Sequence, residues 1–537
     1  MKFKNIICVF LIAIMCFSFT SCKENAVQLS TDDSQENNNS AVTRDYITLL
    51  YSASDGFNPY TAKTDINRHI CKLLYEPLVK LDNEYNPIKY IADNITFGDK
   101  TCTVTLKNKV FSDGAAITAK DIVYSYNLAK NSASSYASKL YNVESCTEKA
   151  DGSVFFKLYK NDIYFTNLLT FPIIKSESDK ITDSDSVLQP PIGSGKFKVN
   201  KDQDGLELNI TSFDKKSNVK TVKLINAPDI ESVTHYAQIG AADMYYTDIS
   251  DGNITRMSGK RTDINLNSLV YIGINQNYGQ LLSKEFRNIL STGIDREKIC
   301  KNAYFNNAVA ANGFFNPSWS EVKSVQNIQI NANKELTIEN LERIGYNKLD
   351  SVGNRVNSNG NSIDLTLLVN SENRMRVVLA NMLASQLSEY GIKILVFEKP
   401  YEQYVEALKT NEFQLYLGEV KLTENMDISH MLTEGGQLAF GLPTFENTEA
   451  SPEKEDEGKE ETEQQDTILK NPYEVISGFY DGKNSITDIA TVLQSEMPFI
   501  PICYRTASLF YNDNIENVIN SSECDIYFSI ESYICNK

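Results

Sequence analysis

The sequence predicts an α/β fold spread over two or more domains. Roughly 490 residues follow the polar N-terminal stretch, which exceeds what one hydrophobic core usually supports. Polar and apolar residues alternate from Thr103 to Val110, with the period of a half-buried strand. Apolar residues then recur at three- and four-residue spacing over 372–390, and the run 392–398 follows, which predicts a long helix and a strand. Mixed patterns of this kind are typical of α/β domains.

Local signals define the boundaries of these elements. Gly114 follows Ser and Asp in a turn sequence and tolerates positive φ, so the first strand is expected to end there. Thr118 and Asp121 have the spacing of a capping box, which predicts a helix from Asp121 to Lys130. The longer helix is expected to stop at Gly391, because glycine accepts the left-handed conformation that commonly ends helices.

The N-terminal segment predicts export. Two lysines precede a 14-residue apolar run, Ile6 to Phe19, and small residues then lead to Cys22. The run is shorter than the roughly 18–20 residues of a membrane-spanning helix, and the pattern resembles a bacterial lipoprotein signal. We expect a signal peptide over 1–21, lipidation of Cys22 and a flexible tether over 22–44, which would anchor the protein to the outer face of the cytoplasmic membrane. A plain secreted protein is the alternative.

The net charge of −18 is unevenly distributed along the chain. Glu446 to Asp466 contains ten acidic residues and two lysines, so the rest of the chain is only mildly acidic. A segment this polar cannot bury apolar area, and we expect a disordered loop over 446–470. Calcium binding is disfavoured because the run lacks the spaced Asp, Asn and Gly of a loop site. Nucleic acid is excluded as a partner because no basic surface is indicated.

Cysteine and histidine patterns do not indicate a metal site or a cofactor. Seven cysteines follow Cys22, an odd number without C-x-x-C spacing, so buried thiols are expected, although one bridge between Cys524 and Cys535 stays open. His69, His235 and His430 stand apart from one another in the sequence. Other enzyme signatures are also missing. A Gly-Ser-Gly-Lys run lacks the first glycine and the Ser or Thr of a phosphate loop, and no nucleophile elbow occurs.

Two motifs carry a family resemblance. Phe111 to Tyr124 reads FSDGAAITAKDIVY, and Pro191 to Val199 reads PIGSGKFKV. Both resemble the signatures of extracytoplasmic solute-binding proteins that serve peptide-type ABC transporters, and the resemblance extends from Leu49 to about Val518. It implies a two-lobed fold like that of type II periplasmic binding proteins, with an extra subdomain and a ligand cleft between the lobes.

The resemblance also implies a domain map. Lobe one would comprise 45–265 and 509–537, including a subdomain over about 81–189, and lobe two would comprise 266–508. Such a monomer would capture a short peptide by cleft closure and deliver it to the permease and ATPase subunits of an ABC transporter, without catalysis. A nickel complex, a sugar or another solute remains open as the ligand. A ligand-sensing receptor without a permease and a hydrolase with scattered catalytic residues are the alternative functions.

Candidate ligand contacts follow from positions that match the family. In peptide binders an acid after a tryptophan on lobe two holds the ligand's amino group, and the matching stretch here, Leu417 to His430, has no tryptophan. Glu424 matches that acid best, with Glu419 as a rival, and Asp427, a turn residue, is a further candidate ligand contact. The expected contacts to the ligand backbone are Tyr271, Asn275, Thr64 and Asp65. Trp319 is expected to pack in a core rather than to bind ligand.

Overall fold

The computed structural model describes residues 43–182, 189–202, 205–211, 217–249, 258–325, 330–443 and 472–537. Three predictions fall on other parts of the chain: the signal peptide over 1–21, lipidation of Cys22 with most of the tether, and the acidic loop over 446–470. They lie outside the described residues. In the described part of the chain, no helix combines the length and apolar character needed to cross a membrane.

Ten α-helices are formed by the described residues. In chain order they are α1 Asp65–Leu74, α2 Ala119–Ala129, α3 Ile230–Gln238, α4 Lys284–Thr292, α5 Arg296–Asn302, α6 Lys334–Arg343, α7 Arg374–Ser388, α8 Tyr401–Lys409, α9 Pro472–Tyr480 and α10 Ile486–Glu496. Short 3₁₀ helices are Ala137–Leu140, Phe165–Leu168, Ser178–Lys180, Gly279–Leu282, Ser320–Ser324, Ser429–Met431 and Ile530–Ser532.

The same residues form 22 strands. In chain order they are β1 Thr43–Arg44, β2 Tyr46–Tyr51, β3 Val79–Leu81, β4 Pro87–Lys89, β5 Ala92–Gly98, β6 Thr101–Leu106, β7 Val143–Glu148, β8 Val154–Leu158, β9 Phe197–Asp202, β10 Gly205–Ile210, β11 Thr221–Asn226, β12 Met244–Thr247, β13 Lys260–Ile274, β14 Ala308–Ala310, β15 Lys348–Leu349, β16 Arg355–Val356, β17 Asp364–Asn370, β18 Lys393–Lys399, β19 Leu415–Lys421, β20 Phe499–Tyr511, β21 Ile515–Glu516 and β22 Ile534–Asn536.

The largest sheet has seven strands, in the order β12-β20-β13-β19-β17-β18, with β14 also paired to β20. Strands β13 and β20 are the longest, at 15 and 13 residues, and they run antiparallel along most of their lengths. Their register shifts between Asn265 and Leu269. Such an irregularity bends and twists a strand pair locally. A second shift lies between Val270 and Tyr271, so the two long strands are continuous but irregular at two places.

Two four-stranded sheets are built from the N-terminal half of the chain. Strand β2 pairs in parallel with β11, which continues antiparallel through β10 to β9. A separate sheet has the order β5-β6-β8-β7, and α2 packs against its strands β7 and β8. The end of the chain returns to this half, because β22 pairs with β1 near the start of the described residues.

The Gly-Ser-Gly motif packs against the end of α1. The backbone amide of Gly195 donates to the carbonyl of Leu74 at 2.9 Å. A Cβ atom on Gly193 or Gly195 would overlap the carbonyl oxygens of Leu74 and Leu73, far inside van der Waals contact. Only glycine permits so close an approach of two backbones. The motif therefore fixes the C-terminal turn of α1, and no phosphate site is needed to explain it.

Most of the local predictions are confirmed, with shifted boundaries. The capping box of Thr118 and Asp121 is present, and Gly114 has a φ of +87°. The long helix and the following strand are present as α7 and β18. The first strand ends at Leu106 rather than Val110, because Val110 forms only an isolated bridge with Ala116 across the turn.

The core contains the tryptophan and most of the thiols. Trp319 is 1% exposed and packs edge-on against Tyr164, Phe315 and Phe479, in agreement with the expected packing role. The seven cysteines of the described region are free, so the bridge left open between Cys524 and Cys535 is not formed. Cys535 is buried in β22, whereas Cys524 is partly exposed at the cavity described below.

Candidate functional site

A cavity of about 1030 Å³ separates two walls of the molecule and is called the cleft here. The first wall is formed by one face of α1 with residues from Ser135 to Tyr141, and the second by residues from Glu419 to Thr423 and from His430 to Gln437. The floor joins the walls through residues beside the register shift of β13 and β20: Tyr246, Asp248, Leu266, Ser268, Arg505 and Glu523. Its volume lies at the upper end of the roughly 300–1000 Å³ range of ligand sites.

The first wall carries charge because of the helical period of α1. Asp65, Arg68, His69 and Lys72 occupy positions i, i+3, i+4 and i+7 of the helix, so they share the face of α1 that lines the cleft. Asp65 and Arg68 form an exposed ion pair at 2.5 Å. Burial lowers the pKa of His69 to about 4, so its imidazole is neutral at physiological pH.

A network of charges around Glu419 connects the second wall to the floor. Its carboxylate accepts from Arg505 at 2.6 Å and from Arg376 at 2.7 Å, and Arg505 also pairs with Asp248. Burial alone would raise the pKa of Glu419, but the two guanidinium groups outweigh it and lower the pKa. Glu419 is therefore ionised and already neutralised by protein groups.

The two walls touch each other through charged and aromatic contacts. Lys139 on the first wall pairs with Glu424, which follows β19 on the second. Lys160 pairs with Asp427 at 2.8 Å, and the Tyr141 hydroxyl also donates to Asp427. Burial raises the pKa of Asp427, but Lys160 and its hydrogen bonds prevail and lower it. Ion pairs and a ring contact therefore connect the two sides of the cleft in this structure.

Two further contacts extend this bridge. The rings of Tyr141 and His430 stack with centroids 4.0 Å apart, and both residues line the cleft. The Asn425 side-chain amide donates to Asp162 at 2.8 Å, where both residues are buried. Burial raises the pKa of Asp162 to about 7, and the nearby Asp427 adds to the rise. The bridge therefore contains a carboxyl group that is partly protonated near neutral pH.

A second cavity of about 70 Å³ adjoins the cleft and is called the side chamber here. The two cavities share lining residues on both walls, namely Lys72, Lys139, Pro172, Lys421 and Glu523. Within the chamber Lys80 pairs with Asp525 at 2.9 Å, and Lys421 pairs with Glu523. Glu424 lines the chamber, and its Oε2 atom is buried without a hydrogen-bond partner among the described residues.

Three of the predicted ligand contacts lie at these cavities. Asp65 and Glu419 line the cleft, and Glu424 lines the side chamber. Their contact with ligand stays a prediction.

The other four predicted contacts line neither cavity. Tyr271 is 3% exposed and donates to the carbonyl of Gln437 at 3.1 Å. The side chain of Asn275 donates to the carbonyl of Phe413 at 2.9 Å. Thr64 precedes α1 and is held by Asp55 at 2.7 Å, and Asp427 is occupied by Lys160 and Tyr141. Their role as ligand contacts also stays a prediction.

Sequence reasoning missed most of the basic residues of the site. Lys72 could have been found, because it continues the charged row of Asp65 and Arg68 along one helix face. Lys139, Lys421 and Arg505 come from separate segments, and no local pattern marks them. In the part of the chain that the structure describes, no group of three or more His, Cys, Asp or Glu residues is placed to hold a metal ion.

A fold of two walls joined by long strands around a charged cleft defines a solute-binding class of protein. Comparison with known families agrees: the model of the bacterial extracellular solute-binding proteins, family 5 (Middle), matches residues 91–427, more than half of the chain. The chain belongs to this family. The predicted family and two-lobed α/β class are thereby confirmed.

Individual relatives are more distant. The oligopeptide-binding protein AppA of Bacillus subtilis is 26% identical over 359 residues, which cover 63% of this chain and 66% of AppA, slightly less than two thirds of its length. Its crystal structure with a nonapeptide has a TM-score of 0.56 at 20% identity and covers 92% of this chain and all of AppA.

Other solved structures show the same fold. A nickel ABC transporter protein of Bacillus halodurans has a TM-score of 0.69 at 16% identity, covering 91% of this chain and all of that one. The unliganded open form of the periplasmic murein tripeptide-binding protein MppA has a TM-score of 0.70 at 15% identity, covering 92% and 98% of the two chains. At these identities the likeness establishes the fold.

Proposed function

We propose that this protein is a membrane-anchored lipoprotein that captures a short peptide by closing its cleft and delivers it unaltered to an ABC permease. The observation that carries the proposal is the bridged cleft of about 1030 Å³, in which Lys139 and Glu424 connect walls from distant parts of the chain. A ligand that touches both walls stabilises the closed form, and only that differential affinity can drive closure.

We propose the same lobe boundaries that the sequence analysis predicted. Lobe one would comprise 45–265 with 509–537, including the subdomain over about 81–189, and lobe two 266–508. The register shift between Asn265 and Leu269 supports a hinge at the first boundary, because it is one of two irregular points of the two long strands and coincides with that boundary. The floor residues Leu266 and Ser268 lie at this point.

A short peptide is proposed as the ligand for two reasons. AppA is named as an oligopeptide-binding protein, and its structure holds a nonapeptide. The cleft itself is lined by acids and bases together, including Asp65, Glu434, Arg68 and Lys421, which suits a ligand with charges of both signs. Catalysis is not part of the proposal, and the alternative of a hydrolase is decided by the experiment below.

Anchoring and delivery are proposed from the N-terminal sequence and from the family. Acylation of Cys22 would hold the chain on the outer face of the cytoplasmic membrane, since two or three acyl chains give stable attachment. The closed form would then present both lobes to the permease. Globomycin-sensitive processing and mass spectrometry of the mature N-terminus test the anchor, and an unmodified Cys22 would contradict it.

Mass spectrometry of bound material tests the proposed function. The full chain, purified from its membrane, is denatured, and the released small molecules are identified. We expect peptides of a few residues, close to one per protein. The same protein is then incubated with a randomised library of tri- to pentapeptides. Retention of intact peptides supports capture, whereas cleavage products or the absence of any retained peptide contradicts the proposed function.

A further inference from the structure

A buried polar contact joins the segment that follows β8 to the segment that follows β19. The carboxylate of Asp162 accepts from the side chain of Asn425 at 2.8 Å and from the backbone amide of Tyr164 at 2.9 Å. Asp162 and Asn425 are both buried. On the proposed lobe map Asp162 belongs to lobe one and Asn425 to lobe two, so separation of the lobes would break this contact and expose Asp162 to water.

A second buried carboxyl group shares the contact. The backbone amide of Asp427 donates to the side-chain oxygen of Asn425 at 3.3 Å, so Asp162 and Asp427 both bond to the same side chain. Asp427 also accepts from Lys160 at 2.8 Å and from the Tyr141 hydroxyl. Among the described residues, Lys160 is the only cation in an ion pair with either carboxyl group. Two carboxyl groups therefore depend on one ammonium group.

The other titratable groups around the contact are neutral or already paired. Burial raises the pKa of the three tyrosine hydroxyls and lowers the pKa of the histidine, so none of these carries a charge in neutral solution. Two acids have lysine partners, and a third accepts from a tyrosine hydroxyl. These groups are Tyr141, Tyr164, Tyr480, His430, Glu424 with Lys139, Asp481 with Lys483, and Glu321 with Tyr164.

One proton balances the charges of the contact. Burial, together with the negative charge of Asp427, raises the pKa of Asp162 to about 7. Burial acts in the same direction on Asp427, but Lys160 and its hydrogen bonds prevail and lower that pKa. With Asp162 protonated, Asp427 and Lys160 neutralise each other. With Asp162 ionised, a buried negative charge is left without a cation, which is costly in a confined site.

We propose that the contact of Asp162 with Asn425 and Asp427 is a proton-coupled latch between the lobes, which makes the cleft close on its ligand more readily in mildly acidic than in alkaline medium. The inference rests on the proposed capture by cleft closure and deepens it, because it assigns a regulation to the same site. The proton is bound more tightly when the lobes meet than when water reaches Asp162. It therefore acts as a second ligand of the closed form.

Retention of peptides as a function of pH tests the latch. The probe is the randomised tri- to pentapeptide library made without Asp, Glu and His, so that no peptide side chain titrates in the range used. The full chain is incubated with the library at several values from pH 5.0 to 8.5, and retention is measured by mass spectrometry over a range of library concentrations. Affinity should be up to roughly 20-fold higher at pH 5.5 than at pH 7.5, the change expected when closure raises a carboxyl pKa from 3.8 to about 7.

Three variants make the test specific to Asp162. Asp162→Asn keeps the shape of the side chain but cannot titrate, so its affinity should lack the rise on acidification. Lys160→Met removes the charge that opposes the raised pKa of Asp162, so the midpoint of the pH dependence should move to higher pH. Asp364→Asn, at a surface position, is the control and should behave like the parent chain.

Two features of the design keep the comparison interpretable. His69 and His430 have lowered pKa values and would favour closure in alkaline medium, but the parent and all three variants share them. The effect of Asp162 is therefore the difference between chains. Thermal unfolding of each variant verifies that it folds, and Lys160→Met carries the test if Asp162→Asn does not fold, because Lys160 is partly exposed.

The outcomes separate the two proposals. The same pH dependence in the parent chain and in Asp162→Asn overturns the latch and leaves peptide capture standing. An unchanged midpoint in Lys160→Met also overturns it, since a merely structural lysine would lower affinity without moving the midpoint. Retention of no peptide at any pH contradicts the proposed function, and the latch falls with it.

Discussion

Lys139 and Glu424 form an ion pair across the cleft, although 285 positions separate them in the chain. Their side chains are 22% and 10% exposed, so the pair is largely withdrawn from water. A pair in this setting connects the walls only when both partners are present, since either partner alone is left as a poorly solvated charge. The contact therefore joins two segments that are distant along the chain.

Lys139→Met should shift the molecule toward an open form. The substitution leaves Glu424 without its cation, which we expect to cost the closed form about 1–3 kcal/mol. Small-angle X-ray scattering should then show a larger radius of gyration. The double variant Lys139→Met with Glu424→Gln should restore much of the closed population, because no buried charge remains unpaired. A scattering profile identical to that of the parent protein would show that the pair does not control closure.

Glu424→Gln should weaken peptide capture. The change removes one ion pair between the walls and replaces a buried acceptor oxygen, so the closed form becomes less populated and the apparent affinity falls, by roughly 10-fold. Titration calorimetry with a peptide identified from purified material measures the effect. Glu398→Gln, an exposed change in β18, serves as the control. Unchanged affinity would remove Glu424 from the site.

Glu419→Gln should affect stability more than affinity. Glu419 forms ion pairs with both Arg376 and Arg505. Its replacement leaves the two guanidinium groups without a nearby negative charge, which we expect to lower the free energy of unfolding by about 2–4 kcal/mol. Urea unfolding monitored by circular dichroism should show this decrease in the free energy of unfolding, with Glu398→Gln again unaffected. The reverse result, normal stability with weak binding, would identify Glu419 as a ligand contact.

Because of Asp162, the free energy of unfolding should decrease as the pH rises from about 4 to about 7. Its pKa is about 7 in the folded protein and 3.8 when unfolded, so the folded form binds the proton more tightly within this window. The stabilisation that this tighter proton binding gives the folded form is fully present below pH 3.8 and is lost as the pH rises through 7. We expect the loss to amount to about 2–4 kcal/mol.

Asp162→Asn isolates this contribution. Parent and variant share the other titrating groups. One of them is His69, whose lowered pKa makes the free energy of unfolding rise, rather than fall, with increasing pH. The difference between their free energies of unfolding, measured in urea from pH 4.5 to 7.5, should therefore change by the expected amount. Asp364→Asn, at a surface position, should give a constant difference. A constant difference for Asp162→Asn as well would contradict the raised pKa.

Gly195→Ala should destabilise the fold by several kcal/mol. A Cβ atom there would overlap the backbone of Leu73 and Leu74, which cannot move aside as a flexible side chain can. Ser194→Ala is the matched control, because the Ser194 hydroxyl is buried without a hydrogen-bond partner among the described residues. Thermal unfolding should separate the two variants clearly. Equal melting temperatures would refute the packing explanation of the motif.

Local elements were predictable because their causes are local. The capping box at Thr118, the turn at Gly114 and the helix α7 with strand β18 all depend on residues within a few positions. The strand ending at Leu106 was overestimated, since an alternating pattern does not show that Val110 turns away to bridge Ala116. Matching positions predict Tyr271 and Asn275 as ligand contacts, and this stays a prediction, since neither residue lines the cleft or the side chamber.

The sequence alone determined the family, the α/β class and the chemical types available to the cleft, because motifs and hydrophobic periods are written along the chain. Only the tertiary structure decided which charges meet. Lys72 and Tyr136 approach each other, and Lys139 reaches Glu424, through contacts that span 64 and 285 positions. Electrostatic interactions depend on distance in space and on burial, and neither can be read from separation along the chain.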